Sequence, residues 1–136
     1  MEQVHDPDAI RALTDDECWD VLRANQLGHL AYAPVGRPNI VPVNYVAHEG
    51  RLIFRTAEGS KLLGIVVEDE VAFEVDEIGE DSARTVVVHG WARQLANSEA
   101  DAVDQLPLHL WVPTMKLNVV AIVPERITGR AFRLVR

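Results

Sequence analysis

The sequence predicts a mainly β domain with small helices, in which six short, mostly antiparallel strands close into a barrel. Three observations lead to that fold class. Alternating or β-branched runs recur at residues 28–35, 39–47, 51–55, 71–76, 84–95 and 117–123, most of them separated by Gly, Pro, Asn or acidic turn residues. Helical signals are confined to short stretches, near residues 14–25, 60–67 and 98–106. Finally, 136 residues with 48% apolar content make a single domain, residues 1–136, with a core to fill. Six strands are too many for one flat open sheet in so small a chain, and closure removes the exposed edges.

Taken in order, residues 1–13 are polar and read as an N-terminal arm. Thr14-Asp15-Asp16-Glu17 matches a capping box, and Cys18, Trp19, Val21 and Leu22 supply the apolar stripe of a first helix ending near Asn25. Residues 28–35 and 39–47 form a hairpin around the turn Gly36-Arg37-Pro38. Pro42 cannot donate to a ladder, so its part of the second strand belongs at an edge or rim, where backbone is free to meet a ligand. His48-Glu49-Gly50 turns the chain into the third strand, 51–55, and a helix follows from residue 60 to about 67. Beyond it come the fourth strand, 71–76, an acidic loop over 77–83 and a long fifth strand, 84–95. A short polar helix over 98–106, a loop over 107–115 and the sixth strand, 117–123, complete the set. Ile127-Thr128-Gly129-Arg130 extends that strand or turns beyond it.

The stretch from Gly50 to Leu63 carries the clearest chemistry, because it passes from an alternating strand through a glycine turn into a helix within about fourteen residues. Arg55 and Thr56 close the strand, Gly59 lets the backbone turn, Ser60 stands at the capping position and Lys61 follows at once. Unpaired amides and two cations would give a phosphate both donors and charge. An ordinary turn with a capping serine and solvated cations fits the same residues. No Walker A loop, G-x-G-x-x-G or G-x-S-x-G is present.

Thirteen basic against 21 acidic residues give a net charge of −8, which opposes binding to nucleic acid or an anionic membrane. A bound anion must therefore be held by a local cluster. Cys18 is the only cysteine, which excludes an intrachain disulfide and suits a reducing compartment; its apolar neighbours read as packing. Residues 1–8 are acidic without an apolar signal core, and no run reaches membrane-spanning length, so a soluble cytoplasmic protein is expected. The five histidines are scattered without ligand spacing, so no metal is expected. The paired carboxylates sit in caps and loops, and no catalytic acid or base is nominated.

The segments Asn39-Ile40-Val41-Pro42-Val43-Asn44-Tyr45, Phe54-Arg55-Thr56-Ala57-Glu58-Gly59-Ser60-Lys61-Leu62 and Pro124-Glu125-Arg126-Ile127-Thr128-Gly129-Arg130 resemble, in that order, the pyridoxamine 5'-phosphate oxidase-like, FMN-binding split-barrel family. The resemblance implies a six-stranded Greek-key split barrel that forms a homodimer, with a flavin in each of two grooves at the subunit interface. It implies that Val41, Pro42, Val43 and Asn44 run beside the flavin ring and that Arg55, Thr56, Ser60 and Lys61 hold its phosphate. Trp111 falls in a loop where the family commonly brings an aromatic residue to the flavin, though packing explains it nearly as well. Asn44 stands where the true oxidase carries a lysine for its substrate phosphate, so the resemblance does not extend to vitamin B6 oxidation. The implied activity is an FMN-dependent oxidoreductase acting on a small molecule, the cofactor carrying the hydride. An F420 (deazaflavin)-dependent reductase and a non-catalytic flavin- or haem-binding module are the alternatives. FMN ranks ahead of F420 because the anionic tail of F420 needs a basic groove that an acidic chain does not suggest.

Overall fold

In the computed structural model, which describes residues 10–57, 61–96 and 117–134, the apolar runs become strands of one continuous antiparallel system. The elements are β1 (Ile10–Ala12), α1 (Asp15–Ala24), β2 (Leu27–Tyr32), β3 (Asn39–His48), β4 (Arg51–Ala57), α2 (Lys61–Val66), β5 (Glu70–Ile78), β6 (Ser82–Gln94) and β7 (Leu117–Arg133). Neighbours run β7-β4-β3-β2-β5-β6, and β6 pairs back onto β7. This is the closed six-stranded antiparallel barrel that the sequence predicts. Its connectivity is a Greek key: β2, β3 and β4 lie side by side, and the chain then crosses through α2 to β5 and β6 before β7 returns beside β4.

One expectation changes and one open alternative is decided. Within the stretch 1–13 expected to be a polar arm, residues 10–12 form strand β1, which pairs with β7 from Ile10 opposite Phe132 to Ala12 opposite Arg130; residues 1–9 lie outside the described residues. The amide of Leu13 then donates to the Gly129 carbonyl at 2.9 Å, and its side chain is buried. The sixth strand extends past residue 123 through Ile127-Thr128-Gly129-Arg130, the first of the two courses that the sequence allowed. Pro124 removes a ladder donor, and an irregularity places Gly90 opposite Pro124 but His89 opposite Arg126, so Glu125 is the extra residue and the strand runs on. The helix expected over 98–106 and the loop over 107–115 lie outside the described residues.

The hairpin turns follow their residues. Glu49 and Gly50 have φ of 51° and 73°, the left-handed pair that a two-residue hairpin loop needs. At the other hairpin, a 3₁₀ turn at Pro34–Gly36 joins β2 to β3. Alternation sends Leu30, Val43, Tyr45, Leu52, Phe54, Phe73, Val75, Val86, Val88, Val120 and Ile122 into the barrel, where all are buried. Tyr45 and Phe73 meet edge to face, ring centroids 5.0 Å apart. Gly28 lies beneath the Phe73 ring, and any Cβ there would collide with it.

Helix α1 packs against this core. Thr14 caps it through the Glu17 amide while Glu17 reaches back to the Thr14 amide, the capping box read from the sequence. Cys18, Val21 and Leu22 are buried, and Cys18 lies so near Gly129 that an added Cβ would come within 2.6 Å of its sulfur. A second buried cluster, Ile53, Leu95, Val119 and Ala121 with Val46 against it, lies on the outer side of β3, β4 and β7.

Candidate functional site

The barrel is split between β3 and β4. These strands pair from His48 opposite Arg51, next to the hairpin turn, to Tyr45 opposite Phe54, and beyond that last pair they part. Toward its N-terminus β3 continues on β2, with Asn39 opposite Tyr32 and Asn44 opposite Leu27, while β4 continues on β7 as far as Ala57 opposite Leu117. Residues 39–43 consequently have a ladder partner on one edge and none among the described residues on the other. That is the rim position expected from Pro42.

Strand alternation divides the residues flanking this split. Val41 and Val43 turn inward, Val43 buried and Val41 packed against the core, whereas Pro42 and Asn44 turn outward. On β4, Arg55 shares the outward face and is half-buried, with Val119 opposite it. Thr56 turns inward and is 4% exposed. Its Oγ1 is buried without a hydrogen-bond partner among the described residues. Burying a hydroxyl unsatisfied costs about 1–3 kcal/mol, so this oxygen marks a place built for a group that donates to it or accepts from it.

Of the residues expected to hold a phosphate, Arg55 and Thr56 therefore stand together at the end of β4. Lys61 is the first residue of α2, which follows β4 after residues 58–60. Ser60, Trp111 and the side chain of Lys61 lie outside the described residues. Val41, Pro42, Val43 and Asn44 lie on β3 beyond the last pair that it makes with β4, Tyr45 opposite Phe54, and Arg55 and Thr56 lie on β4 beyond the same pair.

The outer face of β2 and β3 continues from that edge. Leu27, Ala31, Ile40 and Pro42 give it apolar character, and Leu27 and Ile40 are 46% and 65% exposed. His29 sits among them, opposite Pro42 on one side and Glu74 of β5 on the other. Burial, then the charge of Asp76 and a hydrogen bond with it, push the Glu74 carboxyl up, and His29 offsets part of that rise. Nothing in the sequence marks this pair, because 45 positions separate its members and only strand register joins them. Among the described residues, no three His, Cys, Asp or Glu gather to hold a metal ion, and no helix is long and apolar enough to cross a membrane.

Comparison with known proteins agrees with this architecture. The family model described as pyridoxamine 5'-phosphate oxidase matches residues 14–131. An uncharacterized protein of Mycobacterium tuberculosis is 34% identical over 125 residues, which cover 86% of this chain and 82% of that one. Among solved structures, a FAD-binding protein from Mycobacterium smegmatis superposes with a TM-score of 0.84 at 32% identity, covering 92% of this chain and all of the other. A FAD-binding protein from Mesorhizobium loti gives a TM-score of 0.72 at 26% identity, over 90% of this chain and 96% of that one. By fold, by the order of its motifs and by this match, the chain belongs to the pyridoxamine 5'-phosphate oxidase-like family.

Proposed function

We propose that this protein binds a flavin in the cleft between β3 and β4 and works as a flavin-dependent oxidoreductase on a small molecule. The observation that carries the reading is the buried, unsatisfied hydroxyl of Thr56 beside Arg55, where β4 ends and the chain turns toward α2. A phosphate accepts from a guanidinium, which Arg55 offers on the outer face; the Thr56 hydroxyl one residue on turns to the inner face where the strand ends, and Ser60 and Lys61 follow within five residues to add charge and donors. Across the split, the backbone of residues 39–43 is free to meet the polar rim of a ring system. The cofactor would supply the hydride chemistry; this chain's residues bind and orient it.

FMN is the first choice, since one phosphate matches one compact cluster. FAD is the second reading, favoured by the two FAD-binding relatives; F420 ranks third. The ring, covered on one side by β3, is completed by a second copy of the chain, and the exposed Leu27 and Ile40 provide apolar surface for that contact. A cytoplasmic location suits the single buried thiol of Cys18.

Titrating the purified apoprotein with FMN, FAD, F420 and riboflavin tests the cofactor. FMN should bind far more tightly than riboflavin, and markedly tighter FAD or F420 reverses the ranking. Bleaching of the flavin spectrum by NAD(P)H and its recovery with oxygen identify a redox enzyme; a spectrum inert to every reductant and acceptor identifies a binding module. Light scattering should report roughly twice the 15.1 kDa chain mass, and a monomer that still holds flavin would exclude the shared site.

A further inference from the structure

We infer that the outer face of β5, β6 and β7 is the contact surface for a second copy of this chain, the acidic column on β5 of each copy lying against the basic column on β7 of the other. This inference deepens the second-copy reading above and rests on it. Alternation sends Phe73 and Val75 of β5, Val86 and Val88 of β6, and Ile127 and Ala131 of β7 toward the core, so the residues between them face outward. Register then aligns three rows across the strands: Ala72, His89 and Arg126; Glu74, Val87 and Thr128; Asp76, Thr85 and Arg130. Glu70 extends the β5 column at one end. Carboxylates therefore line β5 and guanidinium groups line β7, with the two columns about 9.6 Å apart across β6.

Within one chain the columns stay unmatched. Among the described residues neither Arg126 nor Arg130 pairs with a carboxylate, and Arg126 lies 3.4 Å from the His89 ring instead. Burial, then the charge of Asp76 and a hydrogen bond with it, push the Glu74 carboxyl up, and His29 offsets only part of that rise. Two chains of net charge −8 also repel at long range, so any contact between them needs local complementarity. In a face-to-face pair of sheets the two-fold axis lies between them and runs either along the strands or across them. An axis across the strands sets β5 on β5, carboxylate against carboxylate. An axis along β6 sets β5 of each copy over β7 of the other, row on row. Asp76 then meets the partner's Arg130, Glu74 stands between the partner's Arg126 and the partner's Arg130, and symmetry repeats both contacts. Charge selects this second arrangement. Beyond the charged rows, Ile78 and Trp91, 72% and 46% exposed, add apolar surface at opposite ends of the face. Strands β2 and β3 continue the sheet past β5, so the exposed Leu27 and Ile40 border the contact.

Two double variants test the arrangement: Arg126→Glu with Arg130→Glu, which leaves both columns acidic, and Glu74→Lys with Asp76→Lys, which makes both columns basic. Each alone should be monomeric where the wild type is a dimer, its dissociation constant raised about a hundredfold or more by like charges set opposite one another. Mixed in equal amounts they should associate again, because the acidic columns of one meet the basic columns of the other. Light scattering of the mixture should report about twice the 15.1 kDa chain mass, with one chain of each variant recovered through a tag on either. The wild type supplies a reading that needs no substitution: raising NaCl from about 50 to about 500 mM should weaken its dimer about tenfold. Variants that stay dimeric, or a wild-type dimer indifferent to salt, overturn the inference and put the second copy on another face, leaving the second-copy reading intact. Variants that melt like the wild type yet stay monomeric when mixed overturn it as well. A monomeric wild type removes both together.

Discussion

The Tyr45 hydroxyl on β3 donates a 2.6 Å hydrogen bond to the Leu22 carbonyl in the last turn of α1. That carbonyl is one of four that a helix leaves without an intrahelical partner, and Asn25 serves another by donating to the Val21 carbonyl at 2.8 Å. The barrel wall thus completes the helix that packs against it. Tyr45→Phe keeps the ring and its contact with Phe73 but strands a buried carbonyl. It should lower stability by about 1–2 kcal/mol, read as a lower urea midpoint at unchanged slope.

Alkali provides a second readout of the same hydroxyl. Burial first, and the charge of Glu77 second, push its pKa well above the usual tyrosine range. A group whose folded pKa is raised contributes fully below its unfolded pKa, about 10, and that contribution is lost as pH rises toward the folded value. Melting above pH 10 should therefore fall in the wild type and fall less steeply in Tyr45→Phe.

Glycine substitutions should act in opposite directions at two positions. A Cβ on Gly90 would run into the Val123 carbonyl beside the bulge, a backbone contact that cannot give way, so Gly90→Ala should cost about 3 kcal/mol. Gly64, exposed in α2, has nothing within 4 Å of that position, and Gly64→Ala should add about 0.5–1 kcal/mol by restricting the unfolded chain. Thermal melting of both variants checks the pair.

On the acid side, Arg11 grips both oxygens of Glu17 at 2.9 and 3.0 Å and ties β1 to α1. That hydrogen-bonded pair first, and the Thr14 amide second, bring the Glu17 carboxyl down to about 2. The Arg84 guanidinium and then Asn25 lower Glu77 in the same sense. Depressed carboxylates contribute above their unfolded pKa, near 4.3, and the contribution disappears as pH falls through the folded value. Melting temperature should decline between about pH 4.5 and pH 2, and Arg11→Ala should flatten only part of that limb, because the Glu77 pair remains. An unchanged limb would show that this solvent-exposed pair adds nothing to stability.

Thr56→Val separates a ligand site from a packing accident. Removing the unsatisfied hydroxyl at constant shape should raise apoprotein stability by about 1 kcal/mol while weakening FMN roughly tenfold and leaving riboflavin unchanged. Lys61→Ala should weaken FMN by roughly ten- to a hundredfold with little effect on apoprotein melting. If Thr56→Val lowers stability and leaves FMN binding alone, the hydroxyl is structural.

Local chemistry was the legible part of this fold. The Thr14 to Glu17 cap, the Glu49-Gly50 turn and the strand positions follow from neighbouring residues. The open edge at Pro42 was readable too, because a missing donor is a property of one residue. The pairing of Ile10 with Phe132 was not, since three residues of β1 carry no pattern until β7 offers an edge. Whether β7 runs on past Pro124 or turns there was left open, because the choice depends on a bulge. At the site, Arg55 and Thr56 were visible as a strand end before a glycine turn, yet their division between outer and inner faces needed the register with β7. His29 and Glu74 had no signal at all: each is an ordinary alternating position until β2 and β5 lie side by side.

Strand β7 bonds to β1, β4 and β6, and none of those three can find it nearby in sequence. Synthesis delivers β6 and β4 with bare edges well before the strand that joins them, and the long-range pairing must then be won against loop-closure entropy. Refolding from urea should be slow for a chain of this size, in the range of milliseconds to seconds, and prone to aggregation at high protein concentration while those edges wait. Once zipped, the same strand should hold the slowest-exchanging amides in the molecule, because releasing it opens the barrel on both sides at once.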